Sequence, residues 1–491
     1  MREHSFPLAT SGWIPVWDLD AAGLREVGLT EALARAHRLV LPAHDEEGIV
    51  LLRLLVAATG AVFGPQTRDE WDALWRAGSL DGAAVNTYMD TWADRLDLFD
   101  AEHPAFQCAA LGEPNREAYQ LAPDALGGAS SFEMFGGLTA DHPGWTPARA
   151  ARYLLVLLAY DGAGIKPAFS GDSTARGGKV YGARPGPLGL LTHLHLEGAT
   201  LKDTLLLNLP PVPRAPADVP VWERPSPGPH VRRRAAQGRL DWLTWPSRRI
   251  RLFAEEGEGG CLVTGFAVYE GDRLPDAFNE PALACDPMSV WRLFSGEQVM
   301  VPQTWWLDGE GCPVPWAAAR TLGTADTRSA HSAVVDHAAD AAERGTLPPD
   351  LDVHAVMSMA RFSTIHRSNI SGIVTMPVLL GTARQLGSPE TRRYLYSRAW
   401  FADRRTDRLA SAAVRVLRKP RADVAARLAL RDLDGPWRRM VQESAADPER
   451  AASDWARAVY LAAKAWIEEQ HGPMPDSREH LLAEYRYPVT Q

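Results

Sequence analysis

The stretch DGAGIKPAFSGDSTARGGKVYGARPGPLG, residues 161–189, is the part of the chain around which the rest is organised. An apolar segment that predicts a helix, residues 150–160, precedes it, and a strand-like run, residues 190–197, follows it. Eight of its 29 residues are glycine, and four are lysine or arginine. Glycine lets a ligand approach the backbone closely, and basic side chains attract phosphate or an anionic polymer. The stretch therefore predicts either a functional contact with an anion or a mobile surface loop.

Composition is typical of a large globular protein. A chain of 491 residues, 46% of them hydrophobic, has ample length for a buried core and predicts roughly two to four domains. No apolar run approaches the ~20 residues of a membrane span and no secretory signal is visible, so we expect a cytoplasmic protein without membrane contact. The four cysteines lack CxxC pairing, which argues against a cysteine zinc site. The net charge of −9 argues against a freestanding nucleic-acid binder but allows local basic surfaces.

Two further segments suggest contacts with nucleic acid. HVRRRAAQGRLDWLTWPSRRIRL, residues 230–252, interleaves seven arginines with two tryptophans. Arginine binds phosphate through two parallel N–H groups, so phosphate contact by Arg248 and Arg249 is favoured over a solvated basic face paired with nearby glutamates. In the glycine-flanked loop at residues 127–137, Phe132 and Phe135 either stack on a base or fill the core.

A metal site is the alternative chemistry that the sequence offers. Residues 190–197 alternate in polarity, which places His193, His195 and Glu197 on one face of a strand. Such a face is able to bind a metal ion, although histidines on the polar face of a half-buried strand are commoner. A metal-dependent hydrolase and a purely structural scaffold therefore stay as alternative hypotheses. The known catalytic motifs are missing, so the favoured interpretation has no catalytic residue, no metal and no cofactor.

The predicted fold class is α+β. Residues 1–372 mix helical and strand patterns and predict one large α/β N-terminal body. From residue 373 onward, alanine and leucine recur at helical spacing, and short connections between the segments predict an antiparallel four-helix bundle over residues 373–491. The predicted helices are residues 376–385, 389–417, 422–444 and 448–471.

An ordered set of short stretches resembles the large subunit, CasA, of the type I-E CRISPR surveillance complex Cascade. No single stretch is specific, but their order and spacing are, and with the C-terminal helices they cover most of the chain. The stretches are GWIPV at 12–16, LFDAEHPAFQ at 98–107, LEGATLKDTLLLNL at 196–209, LTWPSRRI at 243–250 and TGF at 264–266.

The resemblance implies a non-enzymatic recognition subunit. Such a subunit reads the protospacer-adjacent motif (PAM) in double-stranded DNA from the minor groove and starts strand separation. It also recruits the helicase-nuclease, and its C-terminal bundle helps to hold the displaced non-target strand. The implied partners are the CRISPR RNA (crRNA), the other Cascade subunits and the target duplex.

In that family a glycine loop, a lysine finger and a glutamine wedge read the PAM. The glycine loop corresponds to residues 161–166, with Gly162, Gly164 and Lys166 as the candidate contacts. No lysine stands immediately after residues 264–266, where the finger is expected, and Arg273 is the nearest basic residue.

Two other family features also depart from the expected residues. The wedge corresponds to residues 363–371, which contain no glutamine, so His366 or Arg367 would have to serve. The loop that contacts the 5′ handle of the crRNA corresponds to the region of Phe132 and Phe135. These departures leave the implied role in place but not the PAM preference.

Overall fold

The computed structural model describes residues 4–123, 142–257, 260–274, 285–294, 297–300, 314–323, 330–362, 370–418, 432–470 and 476–485. The chain divides into two compact units. The first comprises residues 1–191, 198–287 and 359–373, and the second comprises residues 192–197, 288–358 and 374–491. The chain passes from the first unit to the second for the last time after residue 373, which is beside the predicted domain boundary at residue 372. Residues 288–358, however, belong with the C-terminal helices, so the predicted N-terminal body is not one unit.

The first unit is built on buried helices. Its helices are α1 Leu29–Ala34, α2 Glu46–Val62, α3 Arg68–Arg76, α4 Gly82–Thr91, α5 Pro147–Tyr160, α6 Pro187–Leu190, α7 Leu201–Leu207 and α8 Arg239–Leu243. α2 is apolar on nearly all sides, with Arg53 as its buried charged residue, and it is buried from Gly48 to Gly60; α5 packs against it. Asp45 begins α2 by accepting a hydrogen bond from the Gly48 amide. Thr146 caps α5 in the same way, with a proline at the next position.

The strands of the first unit form small sheets, which are antiparallel except for one parallel pair, Arg232–Arg233 with Asp272–Arg273. They are β1 Ile14–Asp18, β2 Gly23–Val27, β3 Leu39–Val40, β4 Arg116–Glu117, β5 Gly164–Pro167 and β6 Lys179–Ala183, then β8 Arg232–Arg233, β9 Arg248–Gly257, β10 Gly260–Glu270 and β11 Asp272–Arg273, with β7 in the second unit. The longest pairing joins β9 and β10. β5 and β6 form a separate two-stranded hairpin, and β5 contacts β10.

The second unit combines a three-stranded sheet with C-terminal helices. Its strands are β7 His193–Glu197, β12 Trp291–Phe294, β13 Glu297–Met300 and, outside residues 359–373, most of β14 Asp352–Phe362 and β15 Ile370–Thr382. Its helices are α9 Ala333–Glu343, α10 Ala383–Gly387, α11 Pro389–Leu417, α12 Asp434–Glu443, α13 Pro448–Glu469 and α14 Ser477–Glu484. Trp455 of α13 packs edge-on against Trp316 and Trp437, with ring centroids 5.6 and 5.4 Å apart, and these rings form part of the core.

The predicted mixed fold with C-terminal helices is confirmed, with one correction. Residues 376–382, predicted as the start of a helix, belong to β15, and a helix begins only at Ala383. Val378 and Thr382 in this segment, with Val374 and Thr375 just before it, are β-branched and favour a strand, which outweighs the helical spacing.

In the part of the chain that the structure describes, no helix combines the length and apolar character needed to cross a membrane.

Candidate nucleic-acid interface

The glycine-rich stretch forms the β5–β6 hairpin. The strands pair antiparallel, with Lys166 opposite Val180 and Pro167 opposite Lys179. The register shifts between Gly164 and Lys166, and this irregularity leaves Ile165 57% exposed. The hairpin thus has an inner face, defined by Lys166 and the buried Val180, and an outer face that is exposed at Ile165, Lys179 and Tyr181.

Two glycines make a tight turn directly before β6, at the end of the segment 168–178 that connects the two strands; we call residues 176–179 the hairpin tip. The backbones of Arg176 and Lys179 exchange two hydrogen bonds, of 2.8 and 3.2 Å, around Gly177 and Gly178. The φ angles of these glycines are 57° and 71°, a pair of left-handed residues that matches the type I′ turn of short hairpins. A Cβ added at either glycine would meet no described atom within 4 Å. Backbone conformation, and not crowding, therefore selects glycine here, and no described residue fills the space above the turn.

Lys166, a predicted DNA contact, is folded onto the inner face. Its Nζ lies 2.6 Å from Oδ2 of Asp161, and the side chain is largely covered. Burial lowers the pKa of Lys166, and the Asp161 carboxylate opposes that effect. Of the predicted glycines, Gly162 is buried and Gly164 is half-buried, with a φ of 133°. In this conformation the lysine serves as an ion-pair partner at the base of the hairpin.

Arg248 holds both ends of the hairpin. Its guanidinium pairs with the Asp161 carboxylate, and its Nη2 donates to the carbonyl oxygens of Gly162 at 3.1 Å and of Arg184 at 2.8 Å. Burial raises the pKa of Asp161, but the Arg248 and Lys166 cations outweigh it and bring the pKa to about 2. The Arg248 side chain is only 1% exposed. The prediction that Arg248 contacts phosphate is therefore wrong for this conformation, because its donors are used inside the protein.

Arg249 belongs to a second internal cluster, centred on Asp272. The Asp272 carboxylate pairs with Arg232 at 2.7 Å and also with Arg234 and Arg249. Burial raises the pKa of Asp272, but the arginines outweigh burial and hold the pKa below its ordinary value. Arg249 is buried, so its predicted phosphate contact is also wrong for this conformation.

The tryptophans of residues 230–252 pack in the same interior. The Arg234 guanidinium lies 4.1 Å from the ring centroid of Trp245 and also pairs with Asp241 at 2.5 Å. Neither predicted environment for this segment, a phosphate contact or a solvated face paired with glutamates, describes its core. The alternation of arginine and tryptophan builds a buried network of ion pairs and ring contacts.

Arg273, the candidate for the lysine finger, braces the hairpin. Its Nε donates to Oε1 of Glu270 at 2.8 Å, and its Nη2 donates to the carbonyl oxygen of Tyr181 at 3.1 Å. Little of its side chain is exposed. Arg273 therefore links the end of β10 to strand β6.

The outer face carries residues that the sequence reasoning did not select. Arg176, Lys179 and Tyr181 are exposed there, and within the described ranges no acidic side chain forms an ion pair with either cation. The signal that could have found them is the Arg-Gly-Gly-Lys sequence, because two glycines between short strand-like runs predict a tight hairpin turn. The exposed cations of the hairpin are thus at its tip, and not at Lys166.

The alternative metal site has a different environment from the predicted one. His193 and His195 have ring centroids 5.4 Å apart, and both are buried in β7, whose first four residues are all buried. The predicted half-buried strand with one polar face is wrong, since both faces are covered. Among the described residues, no group of three or more histidine, cysteine, aspartate or glutamate side chains is placed to hold a metal ion.

Four predicted contacts lie outside the described residues. They are the wedge candidates His366 and Arg367 and the crRNA-handle candidates Phe132 and Phe135.

Known structures share this fold along nearly the whole chain. A crystal structure of Cse1 from Acidimicrobium ferrooxidans matches with a TM-score of 0.79 at 25% identity, covering 98% of this chain and 96% of that chain. A chain of a structure described as a CRISPR RNA-guided surveillance complex matches with a TM-score of 0.71 at 19% identity, covering 98% and 99%. By its fold the protein falls among the CRISPR-associated proteins.

The sequence comparisons define the family. CasA/Cse1 of Thermus thermophilus is 34% identical over 270 residues, which are 52% of this chain and 50% of that protein, so the match spans about half the length of this relative. Residues 7–465 match the family described as CRISPR-associated protein Cse1. The chain belongs to that family, as the resemblance of its short stretches predicted.

Proposed function

We propose that this chain is the non-catalytic large subunit of a CRISPR RNA-guided surveillance complex. In that complex it recognises the PAM of double-stranded DNA, promotes strand opening and R-loop formation, and recruits a helicase-nuclease. Its partners are the crRNA, the other subunits, the target duplex and the displaced strand, and the assembly works in the cytoplasm. Membership of the Cse1 family and a fold shared with a chain of a surveillance complex support this proposal.

One observation of this structure carries the proposal furthest. The β5–β6 hairpin is an exposed, glycine-rich element whose base is anchored by the buried Arg248. At Gly164 and Gly182 a Cβ would meet no described atom within 4 Å; Gly182 is exposed and Gly164 is half-buried. A rigidly anchored element with an open backbone suits close approach to a groove of DNA, where side chains would obstruct contact.

Lys166 has a defined place in this proposal. Its ion pair with Asp161 is shared with Arg248, so Lys166 can turn toward a DNA acceptor while Asp161 keeps a cation. Gly164 and Lys166 would together face the minor groove, with Arg273 bracing the strand behind them. The buried Gly162 would have to be uncovered to join them. The wedge role of His366 and Arg367 and the handle contact of Phe132 and Phe135 stay predictions.

R-loop formation by the assembled complex tests the proposed function. The wild-type chain, reconstituted with a guide-RNA complex, should open a target duplex that carries the PAM and leave a duplex with a scrambled PAM closed. Gly164→Val adds a branched side chain where no described atom lies within 4 Å and, because φ is 133°, also strains the backbone; it should abolish opening while the chain still assembles.

Gly260→Val is the matched control, because Gly260 is exposed, has a φ of 105° and no described atom near its Cβ position, yet lies outside the hairpin. If the wild-type complex opened both duplexes equally, PAM recognition by this chain would be refuted. A chain that assembles but leaves opening unaffected by its presence would be a structural scaffold.

A further inference from the structure

The tip of the β5–β6 hairpin concentrates positive charge without neutralising it. Arg176 and Lys179 stand directly opposite each other across the two-glycine turn, so their side chains leave the same face of the hairpin. Opposite positions of this kind hold their Cβ atoms about 5 Å apart, and like charges there repel each other. Folding alone gains nothing from this arrangement.

No described carboxylate compensates for these two charges. The acidic residue of the connecting segment, Asp172, is turned inward, and its side chain is 2% exposed. Its oxygens accept hydrogen bonds from the Thr174 amide at 2.8 Å, the Thr174 hydroxyl at 2.6 Å and the Val231 amide at 2.8 Å. The one acid close in sequence is thus committed to holding the loop, and the two cations stay available to a partner.

The surroundings of the two cations fit an extended anion. The amide N–H groups of Gly177 and Gly178 have no acceptor among the described residues, and no described residue fills the space above either glycine. Tyr181, two residues after Lys179, lies on the same outer face and is 51% exposed. Cations, backbone N–H groups and a tyrosine hydroxyl are the donors that proteins direct to the DNA backbone.

We propose that Arg176 and Lys179 form a phosphate clamp on the backbone of the target duplex. The clamp rests on the proposed function and adds to it a contact that is independent of base sequence. Its role is to hold the duplex against the hairpin, while PAM readout belongs to other residues. Because backbone contacts carry no sequence information, the clamp strengthens binding to duplexes with and without the PAM by the same factor.

Salt-dependent binding of a labelled duplex to the assembled complex tests the clamp. Loss of two phosphate contacts in Arg176→Ala/Lys179→Ala should make the slope of log K against log salt shallower by about 1.8, and raise the Kd about 10- to 50-fold near 0.1 M salt. The conservative variant Arg176→Lys should retain most of the affinity. The change should be equal for a PAM duplex and a scrambled duplex.

The control removes the same net charge elsewhere in the first unit. Arg38→Ala/Arg76→Ala truncates two exposed arginines that sit in surface ion pairs, and it should leave the slope unchanged.

Three results would overturn the clamp. In the first, wild type binds the duplex but the double variant keeps its slope and Kd. In the second, affinity is lost only for the PAM duplex, which would make these residues base readers. In the third, the double variant fails to assemble with the crRNA and partner subunits, which would assign the tip to the complex itself. Failure of the proposed function looks different, because then the wild-type complex itself does not discriminate PAM from scrambled duplex.

Discussion

Two basic regions of this protein differ in whether their cations are buried in ion pairs or exposed to solvent. Residues 230–252 hold seven arginines and predict phosphate contact, yet Arg248 and Arg249 are buried and paired with carboxylates. The hairpin tip holds only Arg176 and Lys179, and both are exposed without a described ion-pair partner. Counting cations along a sequence therefore points to the wrong region. Whether a cation is available to bind phosphate depends on whether the fold brings a carboxylate to it.

The carboxylates that neutralise the arginine-rich segment come from other parts of the chain. Asp161 lies 87 positions from Arg248, and Asp272 lies 23 positions from Arg249. In the hairpin, by contrast, the nearby Asp172 is used by its own loop. The comparison predicts that changes in the buried clusters affect stability, whereas changes at the tip affect binding.

The largest expected effect is at the centre of the buried cluster. Asp272→Asn keeps the shape of the side chain but leaves Arg232, Arg234 and Arg249 without their shared carboxylate. Removing one partner of a buried ion pair costs about 3–5 kcal/mol, so the free energy of unfolding should fall by that amount in urea denaturation. A loss below about 1 kcal/mol, the range of surface pairs, would mean that the cluster is solvated and the comparison fails.

The next largest effect is a loss of folding stability at low pH, which depends on Asp161. The pKa of Asp161 is about 2 in the folded protein and about 3.9 in an unfolded chain. Because the folded pKa is the lower one, the stabilisation is fully present above pH 4 and is lost as the pH falls toward 2. Its size is about 2–3 kcal/mol.

Urea denaturation at pH 6 and at pH 3 measures this dependence. In Asp161→Asn the difference in unfolding free energy between the two pH values should be smaller than in the wild type. An unchanged difference would assign the acid sensitivity to other carboxylates.

A smaller effect is expected at the turn glycines. Gly177→Ala forces an alanine into the left-handed region and should cost about 1 kcal/mol locally, whereas Gly177→Asn should be nearly neutral because asparagine tolerates that region. Hydrogen exchange of the Lys179 amide, which donates to Arg176, reports the opening of the turn. Equal protection in both variants would argue against the type I′ geometry.

The smallest expected effect on stability is at the two cations of the hairpin tip. Arg176→Ala/Lys179→Ala should change the free energy of unfolding by no more than about 0.5 kcal/mol, because both side chains are exposed. Relief of the repulsion between the two cations makes slight stabilisation the expected sign. Thermal unfolding at low salt measures this difference. A substantial loss of stability would show that the tip, like residues 230–252, is part of the internal framework.

Local signals explain what the sequence predicted well. The helix at residues 389–417 was predicted with the bounds observed for α11, since Ser388 accepts a hydrogen bond from the Thr391 amide and a proline follows the cap. The helix predicted at 448–471 ends at Glu469, two residues early. Both depend on residues close together in the chain.

The wrong predictions required information from distant parts of the chain. β7 pairs with residues 354–358 of β14, and burial on both faces removed the polar face expected for His193 and His195. Lys166 has the composition of a ligand-binding residue, but its direction is set by Asp161 and by its place opposite Val180. Alternation and charge indicate what a residue can do, and only pairing partners decide which face it occupies.

Arg248 also gives the hairpin an architectural freedom. Its guanidinium donates hydrogen bonds to the carbonyl oxygens of Gly162 and Arg184, so one side chain holds together both ends of the segment between them. The entropic free-energy cost of closing such a loop rises by only about 0.6 kcal/mol for each doubling of its length. The segment between residues 162 and 184 can therefore change in length and in its tip residues among relatives, or be replaced by design, while the Arg248 site that anchors it stays the same.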